Sequence, residues 1–223
     1  MSSGLVRSAL RLATIGLAAS ALMAACGSAP SPSPSRDRAA SSGPDVVMII
    51  RHAEKPDGPD EGIDQHGRED GGSLTATGWE RARRLVDLFA PVHGSPPRGL
   101  SRPGVIYAAG ATDDGEGLRT RQTVAPLSAA LGVPVHTDFG KGEEERLVKE
   151  VLGEPGTALI SWQHSGIPDI VDSFGAVTPK PPKKWPDERY DLVWTLTRTA
   201  DGWRFAQIPE LLLPGDDPEA IPD

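Results

Sequence analysis

The 223-residue chain carries a formal net charge of −8, with 31 acidic against 23 basic residues, and 38% of it is apolar. These values fit one globular domain with a sizeable core and exclude a disordered or polytopic membrane chain. The acidic balance also argues against nucleic acid or an anionic lipid surface as the main partner.

The chain opens with Arg7 and Arg11, followed by an almost unbroken apolar or small run from Leu12 to Ala25. A basic start and an apolar run of this length read as a signal peptide over residues 1–25. The run is short of the roughly 20 apolar residues that a membrane span needs. It ends Leu22-Met23-Ala24-Ala25-Cys26-Gly27, and Cys26 is the one cysteine of the chain. This resembles the lipobox of bacterial lipoproteins, which implies lipidation of Cys26 and attachment to the outer face of the cytoplasmic membrane. An ordinary signal peptide cut at an A-x-A-like site is the alternative. Either way the chain is expected to be exported. Cleavage before Cys26 removes two of the 23 basic residues and none of the 31 acids, which takes the net charge from −8 to −10. A lone cysteine allows no intrachain disulfide.

Residues 26–44 are rich in Ser, Pro and Ala and read as a disordered tether. The domain is expected over residues 45–215, with a loose acidic tail at 216–223. Val46 to Ile50 is a continuous apolar run rich in β-branched residues, the mark of a strand buried on both faces. Thr77 to Ala90 reads as a helix, with Thr77 and Glu80 spaced as a capping box and Trp79, Ala82, Val86 and Phe89 on one face. Val105 to Ala108 reads as a strand. Arg119 to Leu131 reads as a helix stopped by Gly132, with Pro126 as an internal weakness. Val133 to His136 reads as a short strand and Glu143 to Leu152 as an amphipathic helix. Ala158 to Trp162 is another buried strand, and Ile167, Ile170, Val171 and Phe174 have helical spacing. Tyr190 to Thr197 and Trp203 to Ile208 form a hairpin through Ala200-Asp201-Gly202. The alternation predicts an α/β three-layer sandwich with a largely parallel central sheet and a C-terminal β-hairpin.

In such sheets ligands bind beyond the carboxyl ends of the strands. Three polar segments stand there in this sequence: Arg51-His52-Ala53-Glu54 after the first strand, Arg119-Thr120-Arg121-Gln122-Thr123 after the second and its Gly-rich loop, and Gln163-His164-Ser165 after Trp162. Planar guanidinium forks suit the paired oxygens of a phosphoryl group, and a neutral imidazole is a competent nucleophile. A second imidazole can hold the charge that develops during transfer. Two His and two Arg around one phosphate need no metal, and their spacing matches no zinc site.

Arg51-His52-Ala53-Glu54 resembles the Arg-His-Gly-Glu signature of the histidine phosphatase superfamily, also called phosphoglycerate mutase-like, with Ala53 in place of the common Gly. Leu74-Thr75-Ala76-Thr77-Gly78 is similar to that family's Leu-Thr-x-x-Gly helix start, and Arg119 to Thr123 to its Arg-Ala-x-Gln-Thr segment. His164 follows a hydrophobic strand, as the family's second His does. The resemblance covers roughly Val46 to Phe174. It implies His52 as the phosphorylated nucleophile, with Arg51, Arg119 and His164 binding phosphate and stabilising the transition state. Arg121 falls to the helix surface. No cofactor or metal is implied, and the partner would be a small phosphorylated substrate or a phosphopeptide. The general acid is not legible. Glu143 is the candidate, near Asp138, Glu144 and Glu145, and without an acid the enzyme would favour good leaving groups. A catalytically silent module that binds a phosphorylated ligand in the same pocket is the alternative to a phosphohydrolase working through phosphohistidine.

His66, His93 and His136 read as surface residues, Trp162 as core, and Lys180-Pro181-Pro182-Lys183-Lys184-Trp185 as a solvated, polyproline-like loop.

Overall fold

A computed structural model describes residues 43–110 and 117–222. The signal segment, Cys26 and the tether up to residue 42 lie outside the described residues, as does most of the Gly-rich loop. The elements run β1 (Pro44–Arg51), α1 (Ala76–Phe89), β2 (Val105–Ala108), α2 (Leu118–Leu131), β3 (Val135–His136), α3 (Glu144–Val151), β4 (Gly156–Trp162), α4 (Ile167–Ser173), β5 (Val177–Thr178), β6 (Leu192–Thr199) and β7 (Gly202–Pro209). A single 3-10 turn, His164–Gly166, joins β4 to α4.

The strands form one seven-stranded sheet in the order β3-β2-β4-β1-β6-β7-β5. β3, β2, β4 and β1 are mutually parallel, and the β6–β7 hairpin continues the sheet antiparallel to β1. β5, which the sequence reading lacked, pairs parallel to β7 over two residues only. So short a strand leaves no periodic trace.

Side-chain alternation along the strands builds two cores. Val47, Ile49, Ala158, Ile160 and Trp162 pack with Leu147, Val148 and Val151 of α3 and Ile167, Ile170 and Val171 of α4. Met48, Ile50, Ile106 and Leu159 pack with Leu85, Leu88 and Phe89 of α1 and Val124 and Leu127 of α2. Helices thus cover both faces, which is why β1 and β4 are apolar at every central position. The predicted three-layer α/β sandwich is the architecture observed.

Two local readings are corrected. The cap of α1 is Thr75, not Thr77: its Oγ1 accepts from Gly78 N at 3.1 Å, while Glu80 pairs with Arg83 and Arg84 instead. The buried face of α1 is accordingly Gly78, Arg81, Ala82, Leu85, Leu88 and Phe89. The acidic tail is not loose. Asp216 is held by Arg81, and Ile221 is buried against the α3–α4 core. An apolar residue at 221 within an otherwise polar stretch was the signal for that docking.

Candidate active site

The parallel strands β1, β4 and β2 deliver their carboxyl ends to one rim. Arg51 is the last residue of β1 and is 1% exposed. His52 follows, also buried, and extends the ladder by donating its backbone N–H to Trp162 O at 3.0 Å.

The ring of His52 has a defined tautomer. Nδ1 lies 2.8 Å from the carbonyl of Ala53. A carbonyl can only accept, so Nδ1 carries the hydrogen and Nε2 keeps the lone pair. The pKa is lowered to about 3, first by burial and then by the cations Arg51 and Arg119 and by His164, against the Ala53 hydrogen bond that raises it. His52 is therefore neutral at physiological pH, with a free pair on Nε2. Arg51, Arg119 and His164 all stand near enough to act on it electrostatically.

The segment Arg119 to Thr123 positions this ring. Thr123 Oγ1 accepts from Ala53 N at 2.8 Å and donates to Arg119 O at 2.8 Å. Gln122 reaches the other loop, accepting from Leu74 N and donating to Ser73 Oγ. Arg119 is aimed by carbonyls: its Nε donates to Ser73 O and its Nη2 to Gly71 O. Arg121 is exposed, as expected for a helix-surface charge. The start of α2 is pressed onto the end of β2 at Gly117, where φ is +91° and an added Cβ would sit 2.0 Å from Gly110 O. Gly117→Ala should cost about 2 kcal/mol or more from the positive φ alone. Urea unfolding would show it, and activity should fall further because Arg119 shifts with the helix. Gly78 plays the same part in α1. Its bare Cα lets the helix approach Glu54 O, where a Cβ would be 2.5 Å away.

Arg51 is not the open phosphate fork that the sequence suggested. Its Nη1 donates to the carbonyls of Pro186, Asp187 and Arg189, and Nη2 donates to Tyr190 Oη at 3.2 Å. The Tyr190 ring stacks 3.9 Å from the guanidinium carbon. Among the described residues Nε of Arg51 has no partner. His164 opens the 3-10 turn, and its Nε2 meets Asp187 Oδ1 at 2.7 Å. Its Nδ1 is buried without a partner among the described residues, and its pKa is lowered by burial first and by Arg51 next.

Residues 185–190 therefore strap the site. Sequence reading missed them because Pro186 already lies 135 positions beyond Arg51 and the segment carries no motif. Of the solvated loop expected over Lys180 to Trp185, Lys180, Lys183 and Lys184 are exposed as read, and Trp185 is not. Trp185 is buried, lies tilted against Trp194 with ring centroids 5.0 Å apart, and donates to Arg189 O. A large aromatic at the end of a Lys/Pro run was the available sign of an anchor. Glu54, Lys55, Asp57, Asp60, Asp187 and Tyr190 line a cleft of about 700 Å³ at this edge.

The candidate acid Glu143 has no bond to any of these groups. Its carboxylate accepts from Gly140 N and pairs with Arg146, and its pKa is lowered, first by the Gly140 bond. A group held ionised in that way is a poor proton donor. Glu144 instead caps the indole of Trp162 at 3.0 Å in the core. His66, His93 and His136 are exposed.

No protein-family profile matches the chain, and no curated protein does. Solved structures overlay on it loosely. One is a protein histidine phosphatase SixA complexed with tungstate, at 13% identity and a TM-score of 0.46, covering 74% of this chain and 97% of that one. Another is a mycobacterial glucosyl-3-phosphoglycerate phosphatase, at 11% identity and 0.44, covering 74% and 97%. The SixA of Agrobacterium tumefaciens, assigned as a phosphohistidine phosphatase, overlays at 16% identity and 0.45, covering 73% and 95%. Similarity at this level says nothing about activity, which has to be read from the side chains.

Proposed function

We propose that the chain is a metal-independent phosphohydrolase of the histidine phosphatase superfamily, acting through a phosphohistidine on His52. The observation that carries this reading is the tautomer: a buried, neutral imidazole whose Nδ1–H is held by Ala53 O, which leaves the lone pair on Nε2, in the field of Arg51 and Arg119. Cations draw in the phosphoryl group without neutralising the nucleophile. His52 Nε2 attacks phosphorus, the P–O bond breaks with its pair going to the leaving oxygen, which departs as an oxyanion, and Nδ1–H stays hydrogen-bonded to Ala53 O. The positive charge gained by the ring is spread toward that carbonyl. Arg119, held at two of its nitrogens, presents its remaining hydrogens to the phosphoryl oxygens. When the His164 ring is protonated, Nε2–H stays on Asp187 and Nδ1–H, unpartnered among the described residues, donates to the phosphoryl group. Water then hydrolyses the intermediate. With Glu143 removed as the acid, the favoured substrates are those with good leaving groups, such as phosphohistidine, phosphoanhydrides and acidic phosphate esters. Lipidation of Cys26 would hold the domain to the outer face of the bacterial cytoplasmic membrane, a reading supported by the sequence alone.

One observation favours a second reading. The strap occupies both terminal nitrogens of Arg51 and Nε2 of His164, which suits a module that binds phosphate without turning it over. p-Nitrophenyl phosphate in EDTA separates the two. The enzyme reading expects metal-resistant turnover and acid-labile phosphate trapped on His52 after a rapid quench. Phosphate binding without turnover or trapped phosphate would leave only the module.

A further inference from the structure

Gln163 is used nowhere in the mechanism above, yet it adjoins the nucleophile. β1 and β4 run parallel in a register that pairs Ile50 with Ser161 and Arg51 with Trp162. The ladder continues one step, since His52 N donates to Trp162 O and Gln163 keeps an extended backbone at φ −76° and ψ 137°. Strands in register lie about 4.8 Å apart, and alternation sends His52 and Gln163 to the face of Ile50 and Leu159. His52 and Gln163 are thus neighbours on adjacent strand ends. Both amide atoms of Gln163, Nε2 and Oε1, are buried without a partner among the described residues. An unmet buried donor or acceptor costs about 1–3 kcal/mol, and native proteins keep few of them. Ser161 Oγ is unmet too, but it lies one pair deeper in the sheet, opposite Ile50.

A primary amide needs an acceptor at its nitrogen and a donor at its oxygen. A bare phosphate dianion supplies only acceptors. A phosphoryl group together with an attacking water supplies both. Resting on the reading of His52 as the phosphorylated residue, we propose that Gln163 positions the water that hydrolyses the phosphohistidine. Nε2–H donates to a phosphoryl oxygen and Oε1 accepts from the water. The water oxygen forms a bond to phosphorus and the P–Nε2 bond breaks, its pair returning to the ring. Both water hydrogens leave on the released dihydrogen phosphate, so charge balances while Nδ1 keeps its proton. Gln163 gives up no proton. It acts through the water it orients, as glutamines do in some nucleotide hydrolases.

Rapid-quench kinetics with p-nitrophenyl phosphate test this. Gln163→Leu, apolar and one atom shorter, should still phosphorylate His52. A burst approaching one p-nitrophenol per protein should precede a steady rate lowered about 10²-fold, the scale of a misplaced reactant. Phosphohistidine should accumulate. Gln163→Glu keeps the acceptor and adds a negative charge, so it should slow phosphorylation and accumulate no intermediate. This opposite pattern is not one that mere misfolding produces. A wild-type steady rate in Gln163→Leu, or equal slowing of both steps, would overturn the role of Gln163. Absence of phosphohistidine from the wild-type protein itself, with His52→Ala as the blank, would instead overturn the reading of His52.

Discussion

Replacing His52 with alanine should lower p-nitrophenyl phosphate turnover by roughly 10³- to 10⁶-fold, the range seen when a covalent nucleophile is deleted. The variant should retain the fold, because its backbone ladder to Trp162 O does not depend on the ring. The pH profile gives a sharper readout. An ordinary histidine titrates at 6.5, whereas His52 is pushed down to about 3, chiefly by burial. Protonation removes the Nε2 pair, so activity falls as pH falls through the folded pKa. The nucleophile should therefore stay available from neutrality down to about pH 3, and a loss near 6.5 traced to His52 would contradict its burial. The same depression enters stability. Between 6.5 and about 3 the unfolded chain binds a proton that the folded chain refuses, so stability decreases as pH falls through that window. His52→Ala removes this contribution. Its stability should depend on pH more shallowly across the window, as acid unfolding followed by circular dichroism would show.

The sequence exposed what is periodic or local. The apolar runs of β1, β2 and β4 were legible because burial on both faces demands them, and α1 and α2 because a helix packed on a sheet repeats its apolar residues every three to four positions. The motifs were legible as well, and the structure gives most of their residues positional work. Thr75 and Gly78 seat α1 against Glu54, and Gln122 and Thr123 clamp α2 to Ser73, Leu74 and Ala53. What stayed hidden is long-range pairing without spacing. Nothing near Arg51 announces that Asp187 and Arg189 will take its Nη1, and nothing near His164 announces Asp187. The reading of Glu143 failed for a related reason. Proximity to a Gly-rich stretch says where a carboxylate sits on the chain, not whether a neighbouring N–H will hold it ionised.

Arg81 shows how much of the rim's support lies outside the motifs. It is buried on α1, and one guanidinium serves three carboxylates: Glu54 at 2.8 Å, Glu210 at 3.0 Å and Asp216 at 2.7 Å. These tie the loop two residues past the nucleophile to the chain beyond β7. Burial pushes Glu210 up to about 8, against the pull of Arg81. Asp216 is lowered, its hydrogen bond from Arg81 being the largest of the causes that outweigh burial. Arg81→Met should cost about 3–5 kcal/mol, because it strands buried carboxylates without their cation. Arg81→Lys should recover little, since an ammonium cannot span three acceptors in the fork geometry. The pH dependence has a definite sign. Glu210 titrates near 4.5 when unfolded. Between that value and about 8 the folded state holds a proton that the unfolded state has released, so stability falls as pH rises across the window. Glu210→Gln fixes the uncharged form. It should leave stability near pH 5 almost unchanged and raise it relative to wild type above pH 8, as measured by urea unfolding at both values. Equal effects at the two pH values would mean that Glu210 is ionised in the fold, with Arg81 outweighing burial. Arg81→Met should then lose more stability at high pH than at low, because the charge left uncompensated would include Glu210 as well as Glu54 and Asp216.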